Sequence, residues 1–158
     1  MEKDEQILGI IPNTHTGLFG NKCFNLIITN KRLVAASLTS EMLKEAAKKR
    51  SEESKNRGEG FLKRWASTMF SGVEYYKKYY DMQINDILSE NQENFVLEPS
   101  MVNKIKIKTG HFNEAQEKTM PHELIIKSTN GKHKFNFSNI SPKEAKNLLS
   151  KTFGATVK

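Results

Sequence analysis

The sequence predicts a mainly β fold, α+β overall, with about seven antiparallel strands, a closing helix at the carboxy end and a helical insertion. Residues 102–109 alternate apolar and polar side chains, which is the two-residue period of a strand with one buried face. Residues 123–128 and 132–138 flank Asn130 and Gly131, a pair that favours a tight hairpin turn. A capped amphipathic segment follows the last strand. These patterns predict a sheet followed by a terminal helix.

The first forty residues predict three strands. Residues 5–11 are apolar enough for the first strand, and Pro12 is expected to end it. A polar loop over residues 13–22 follows. Residues 23–29 and 32–38 are two apolar runs joined at Thr-Asn-Lys, where Asn tolerates left-handed backbone angles and Thr bonds back to the local main chain. The second and third strands are therefore expected to form a hairpin.

The pattern changes to a helical one after the third strand. Residues 42–54 are rich in Ala, Leu, Lys and Glu, which are strong helix formers. In residues 61–88, apolar and aromatic side chains recur at steps of three or four, as on a helix with one apolar face. We therefore expect residues 41–90 to be a helical insertion before a fourth strand at 95–97. Residues 110–121 are expected to form a loop.

The terminal helix has the clearest boundaries in the sequence. Ser141 is an N-cap, Pro142 occupies the first helical position, and Glu144 completes a capping box. Gly154 is expected to end the helix. Its apolar stripe is formed by Ala145, Leu148, Leu149 and Phe153.

One stretch resembles a known family. Residues 26–36, with Thr-Asn-Lys-Arg-Leu at the turn between two strands, resemble the signature of bacterial and archaeal pleckstrin-homology-like (PH-like) domains. The resemblance covers residues 1–40 and 91–158 and implies a seven-stranded, partly open barrel of two antiparallel sheets whose terminal helix plugs one end. The insertion at 41–90 departs from the family plan.

The resemblance also implies a function class. It suggests a non-catalytic binding or adaptor module in the cytoplasm of a microbe, without identifying the ligand. In phosphoinositide-binding PH domains, the loop between the first two strands and its flanks supply clustered basic residues. The matching region here offers only His15 and Lys22, with Lys31 and Arg32 one strand further on. Specific phosphoinositide recognition is therefore not predicted.

The charge is unevenly distributed. The chain has 158 residues and a formal net charge of +7. Residues 1–99 hold 14 basic and 14 acidic residues, whereas residues 100–158 hold 11 Lys and 4 Glu. All of the net charge thus lies in the carboxy-terminal third, which suggests an acidic partner such as nucleic acid, anionic lipid or an acidic protein. The alternative is a solvated lysine-rich surface.

The sequence gives no indication of catalysis. The single cysteine, Cys23, lies in an apolar strand pattern and is expected to be an inert core thiol. The four histidines lack the close spacing of a zinc site, and no phosphate-binding or nucleophile motif is present. We therefore expect no enzyme, cofactor or metal. No window is long and apolar enough to span a membrane, so we expect a cytoplasmic protein, with peripheral attachment at a membrane left open.

Two candidate binding surfaces emerge. The first is a set of lysines that alternate outward on neighbouring strands, and its alternative is the solvated side of a sheet. The second is the aromatic helix at 61–88, which combines Phe61, Arg64 and Trp65 as in interfacial membrane helices. Packing inside the molecule or against a second subunit is the alternative for that helix. The lysines are Lys104, Lys106, Lys108, Lys127, Lys132 and Lys134.

The functional prediction is an adaptor that engages a protein partner or an anionic membrane surface. Two alternatives stay open. The lysine-rich sheet face would bind nucleic acid, or the aromatic helix would assemble the chain into a homo-oligomer.

Overall fold

The strands and helices alternate along the chain as follows. In this computed structural model, residues 4–17, 21–53 and 75–158 are described. The strands are β1 (Ile7–Thr16), β2 (Lys22–Thr29), β3 (Leu33–Ser37), β4 (Phe95–Leu97), β5 (Val102–Lys108), β6 (Phe112–Asn113), β7 (Lys118–Thr119), β8 (His122–Ser128) and β9 (Gly131–Phe137). The α-helices are α1 (Ser40–Glu53), α2 (Ile84–Ser89) and α3 (Pro142–Phe153), and 3₁₀ turns span Tyr75–Asp81, Pro99–Met101 and Gly154–Thr156.

Seven of these strands form one antiparallel sheet in the order β4-β3-β2-β1-β9-β8-β5, and β6 and β7 form a separate two-stranded ribbon. Within the sheet, β1–β4 is one meander (the covered half) and β5, β8 and β9 are another (the open half). The halves meet only where β1 pairs with β9, through His15 and Asn136. The prediction of a mainly β fold with a carboxy-terminal helix is therefore confirmed. The two predicted sheets are hydrogen-bonded into one.

The main core lies between the inner faces of both halves and α3. Leu26 on β2, Ile126 on β8 and Leu149 on α3 are all fully buried in it. The predicted capping box positions α3, since the backbone N–H of Glu144 donates to Ser141 Oγ at 3.1 Å. The residues after α3 return to the sheet, where the N–H of Lys158 donates to the Ile105 carbonyl at 2.9 Å along the outer edge of β5.

A second apolar cluster covers the opposite face of the covered half. Ile27 and Val34 are fully buried there beneath Tyr79 and Ile87, which belong to the helical segment between β3 and β4. Adjacent residues of β2, such as Ile27 and Ile28, therefore enter different cores. Burial on both faces explains why β2 is continuously apolar instead of alternating.

The structure corrects the predicted end of the first strand. Pro12 does not end β1, which continues to Thr16. The pairing with β2 shifts register between Ile11 and Thr14, and Asn13 has a φ of +51° at this bulge. Proline is tolerated at a bulge because it needs no ladder hydrogen bond there.

Two further predictions differ from the structure. The predicted loop at 110–121 contains the ribbon β6–β7. The predicted helix over 61–88 is described only from residue 75, and that part is a 3₁₀ turn followed by the short helix α2. The position of the helical segment between the third and fourth strands is as predicted.

Candidate binding surface

The six predicted lysines lie on the outer face of the open half. Along β5, the side chain of Ile105 is fully buried in the core whereas those of Lys104 and Lys106 are exposed. The same alternation places Leu124 inside and Lys127 outside on β8. On β9 it buries Phe135 and Phe137 and leaves Lys132 and Lys134 exposed. We call this surface, made of Lys104, Lys106, Lys108, Glu123, Ile125, Lys127, Lys132 and Lys134, the lysine face.

The strand register aligns three of these lysines in one row. Lys104 is directly opposite Lys127 on the neighbouring strand, and Lys127 is directly opposite Lys132 on the next. Adjacent strands are about 4.8 Å apart, and like charges directly opposite one another destabilise a sheet. This lysine row therefore places three ammonium groups side by side at a cost in stability.

The next row across the sheet has an apolar centre. Ile125 stands between Lys106 and Lys134 and is only 7% exposed although it lies on the outer face. Long lysine side chains can cover apolar surface with their methylene groups while the ammonium groups stay in water. A shallow depression forms over this residue, and it is lined by Lys104, Lys106, Lys108, Ile125, Lys127 and Lys132.

One carboxylate belongs to the three strands of the lysine face. Glu123 Oε2 lies 3.3 Å from Lys134 Nζ, which accounts for the absence of Lys134 from the lining of the depression. Lys108 is opposite the same glutamate in the strand register. The depression is thus strongly electropositive, and its chemistry suits phosphate or carboxylate groups of a ligand.

The second predicted surface is only partly described. Phe61, Arg64 and Trp65 lie outside the described residues. In the part of that segment that is described, Tyr75 and Tyr79 are buried against the covered half of the sheet. These two aromatic side chains therefore pack inside the molecule.

A polar contact ties this helical segment together. Lys78 Nζ donates to Tyr75 Oη and to Glu90 Oε2, both at 2.5 Å. Burial alone would lower the pKa of Lys78, but its hydrogen bonds to Glu90 and Tyr75 outweigh that effect and raise the pKa. Burial, followed by the charge of Glu90, raises the pKa of the neighbouring Tyr79. The segment is held to itself by an ion pair that is only partly exposed to solvent.

The basic residues around the first loop are engaged in the structure. Lys22 Nζ lies 3.4 Å from Glu93, and the guanidinium of Arg32 donates to both carboxylate oxygens of Glu5, at 2.9 and 3.0 Å. Thr29 Oγ1 donates to the same carboxylate and accepts the N–H groups of two turn residues. The Thr-Asn-Lys-Arg sequence therefore builds the turn and its ion pair. Leu18 and Phe19 of the predicted loop lie outside the described residues.

The described residues offer no alternative metal or nucleophile site. They contain no group of three or more His, Cys, Asp or Glu side chains that could hold a metal ion. Burial raises the pKa of the Cys23 thiol to about 11, so this cysteine stays protonated near neutral pH. Among the described residues, no helix combines the length and apolarity needed to cross a membrane.

Some features of the surface were missed by sequence reasoning. Ile125 and Glu123 belong to the lysine face because the register of β5, β8 and β9 brings them there. Their alternation with Leu124 was the available signal. Comparisons with protein-family models, curated proteins and solved structures find no match for this chain.

Proposed function

We propose that this chain is a non-catalytic PH-like binding module that attaches to an anionic membrane surface through its lysine face. The lysine row carries this proposal, since Lys104, Lys127 and Lys132 are mutually opposed across three strands. An arrangement that costs stability in the free protein is relieved when an anionic partner neutralises it.

Solvation and edge protection explain this surface less well. Exposed lysines on an edge strand discourage pairing with other chains, and that argument covers Lys104 and its neighbours on β5. It does not extend to Lys127 and Lys132, because β8 and β9 are interior strands of the sheet. A surface kept only for solubility is expected to mix both signs of charge.

The PH-like part of the proposal is supported by the arrangement of the strands. β1 is long and bulged, and its far end joins the last strand, so the sheet curves back towards its beginning. The helix that follows the last strand packs into the core between the two halves. The ligand site that we propose differs from the first loop, where Lys22 is engaged with Glu93.

Nucleic acid is the second candidate, because lysines attract any polyanion. Aromatic side chains that stack on bases would favour it, but Phe135 and Phe137 are each 1% exposed on the inner side of β9. The aromatic helix as a subunit interface also stays a proposal. It is not favoured by Tyr75 and Tyr79, since both are used in packing within the chain.

The test is vesicle binding by two charge-matched triple variants. The first changes Lys104, Lys127 and Lys132 to Gln, and the second makes the same change at the exposed α3 residues Lys143, Lys146 and Lys151. Each lysine near an anionic membrane surface contributes about 1 kcal/mol, so the first variant is expected to bind roughly two orders of magnitude more weakly. The α3 variant is expected to bind much more like the parent.

Co-sedimentation with phosphatidylserine-containing and neutral vesicles at low and physiological salt measures both. Equal weakening of the two variants would assign binding to net charge alone. No binding by the parent at low salt would refute the proposal, and tighter binding to an RNA oligonucleotide than to vesicles would replace it with the nucleic-acid candidate.

A further inference from the structure

The ribbon β6–β7 is a continuation of the hairpin that carries the lysine face. Lys108 pairs with Glu123 at the end of the β5–β8 ladder, and Phe112 pairs with Thr119 in the ribbon. Four residues separate the two pairs on each strand, so the ribbon keeps the register of the ladder. Because side chains alternate with a period of two, Phe112 belongs to the same alternating set as Lys108.

A glycine allows the two strands to approach one another between ladder and ribbon. A Cβ atom at Gly110 would lie 2.0 Å from the carbonyl oxygen of Met120, so no other residue fits without a shift of the backbone. The N–H of Gly110 donates to His122 Nδ1 at 2.8 Å, and the N–H of Met120 donates to the His111 carbonyl at 2.7 Å. The ribbon is thereby hydrogen-bonded to the end of the open half.

Phe112 is exposed on this hydrogen-bonded ribbon. Among the large hydrophobic side chains that the structure describes, only Phe112 and Tyr80 are exposed, at 59% and 51%. The turn beyond Phe112 is fixed by Asn113 Oδ1, which accepts the N–H groups of Ala115 and Gln116. An aromatic side chain therefore stands next to the lysine face without a packing role in the core.

We propose that Phe112 is an interfacial anchor that enters the boundary between headgroups and acyl chains of an anionic bilayer while the lysine face contacts the headgroups. This inference rests on the proposed function and adds the orientation of the docked protein. Positive charge beside an exposed aromatic group matches the two layers of a membrane interface, because the lysines meet anionic headgroups and the ring meets apolar chains. A single ring offers nucleic acid only one stacking platform.

The acidic residues of the turn define how the ribbon approaches. Glu114 and Glu117 are exposed at its tip, so an anionic surface repels a tip-first approach. The ribbon docks side-on, with Phe112 and the lysine face towards the membrane. Changing both glutamates to Gln is expected to strengthen binding a few-fold, whereas a tenfold loss would contradict this orientation.

The matched test compares Phe112→Ser with Tyr80→Ser. Tyr80 is similarly exposed but lies on the 3₁₀ turn that covers the other half of the sheet. In partitioning on phosphatidylserine-containing vesicles at physiological salt, Phe112→Ser is expected to weaken binding about tenfold, as for loss of partial burial of one aromatic side chain. Tyr80→Ser is expected to leave binding unchanged.

Fluorescence then reports depth directly. Phe112→Trp and Tyr80→Trp each add one tryptophan to the parent, and quenching by lipids brominated on the acyl chains is measured relative to the parent. Added quenching at position 112 alone supports the anchor. If the parent binds but neither serine variant nor position 112 responds, the anchor is refuted while the proposed function stands. If the parent does not bind vesicles, both are refuted.

Discussion

The two halves of the sheet differ in what covers their outer faces. In the covered half, Ile27 is fully buried beneath the helical segment, whereas in the open half the equivalent outward positions hold exposed lysines. Both halves share the same inner core with α3. The helical segment after β3 thus protects one half, and the other half is left with a charged surface available for a partner. The following predictions test that difference, from the largest expected effect to the smallest.

A charge placed under the helical segment should unfold the covered half. Ile27→Asp buries a carboxylate without a partner, and we expect it to reduce the free energy of unfolding by more than about 4 kcal/mol or to prevent folding. Ile125→Asp, on the outer face of the open half, is surrounded by lysines and is expected to cost much less. Urea unfolding followed by circular dichroism measures both. Equal losses would contradict the distinction between the two faces.

The ion pair within the helical segment should contribute more than a surface pair. Glu90→Gln leaves the half-buried ammonium of Lys78 without its anion, and we expect a loss of about 1–2 kcal/mol. Glu93→Gln removes the pair with Lys22, whose side chains are 55% and 51% exposed, and should cost under about 0.5 kcal/mol. Chemical denaturation of both variants checks the order, and a reversed order would refute this view of the segment.

The turn between β2 and β3 should make stability depend on pH. Partial burial raises the pKa of Glu5, but hydrogen bonds from Arg32 and Thr29 outweigh it and hold that pKa below its ordinary value. Because the folded pKa is depressed, this contribution is present above the unfolded pKa and is lost as pH falls through the folded pKa. We expect Glu5→Gln to flatten the acidic limb of the stability profile by about 1 kcal/mol. An unchanged limb would contradict the assignment.

The lysine row should carry a small stability cost. Lys127→Gln removes the central charge of the row and is expected to raise the free energy of unfolding by about 0.5 kcal/mol at low salt, an effect that salt screens. Lys134→Gln removes the pair with Glu123 instead and is expected to leave stability unchanged or slightly lower. Denaturation at two salt concentrations distinguishes them. A destabilised Lys127→Gln protein would contradict the cost that we assign to the row.

Much of the open half could be predicted from sequence. The alternation around Ile105 and the Asn130-Gly131 turn predicted the strands and the side on which the lysines lie. The opposition of Lys104 and Lys127 could not be predicted, because it depends on the register between strands distant in sequence. Local patterns specify which side of a strand is polar, whereas the pairing specifies which charges meet.

The covered half was less predictable for a physical reason. Pro12 normally marks the end of a strand, and only the bulge beside Asn13 lets β1 continue. The continuous apolar run at Ile27 and Ile28 was a signal for burial on both faces, but it did not show which segment would cover the second face. Exposure of Phe112 depended on a ribbon that the polar composition of the loop concealed.

The most direct measurement is lysine footprinting of the unaltered protein by acetylation and mass spectrometry, with and without phosphatidylserine-containing vesicles. We predict that vesicles protect Lys104, Lys127 and Lys132, while the exposed lysines of α3 remain reactive. Uniform protection of both groups, or protection confined to α3, would contradict the claim that the open half of the sheet is the binding surface.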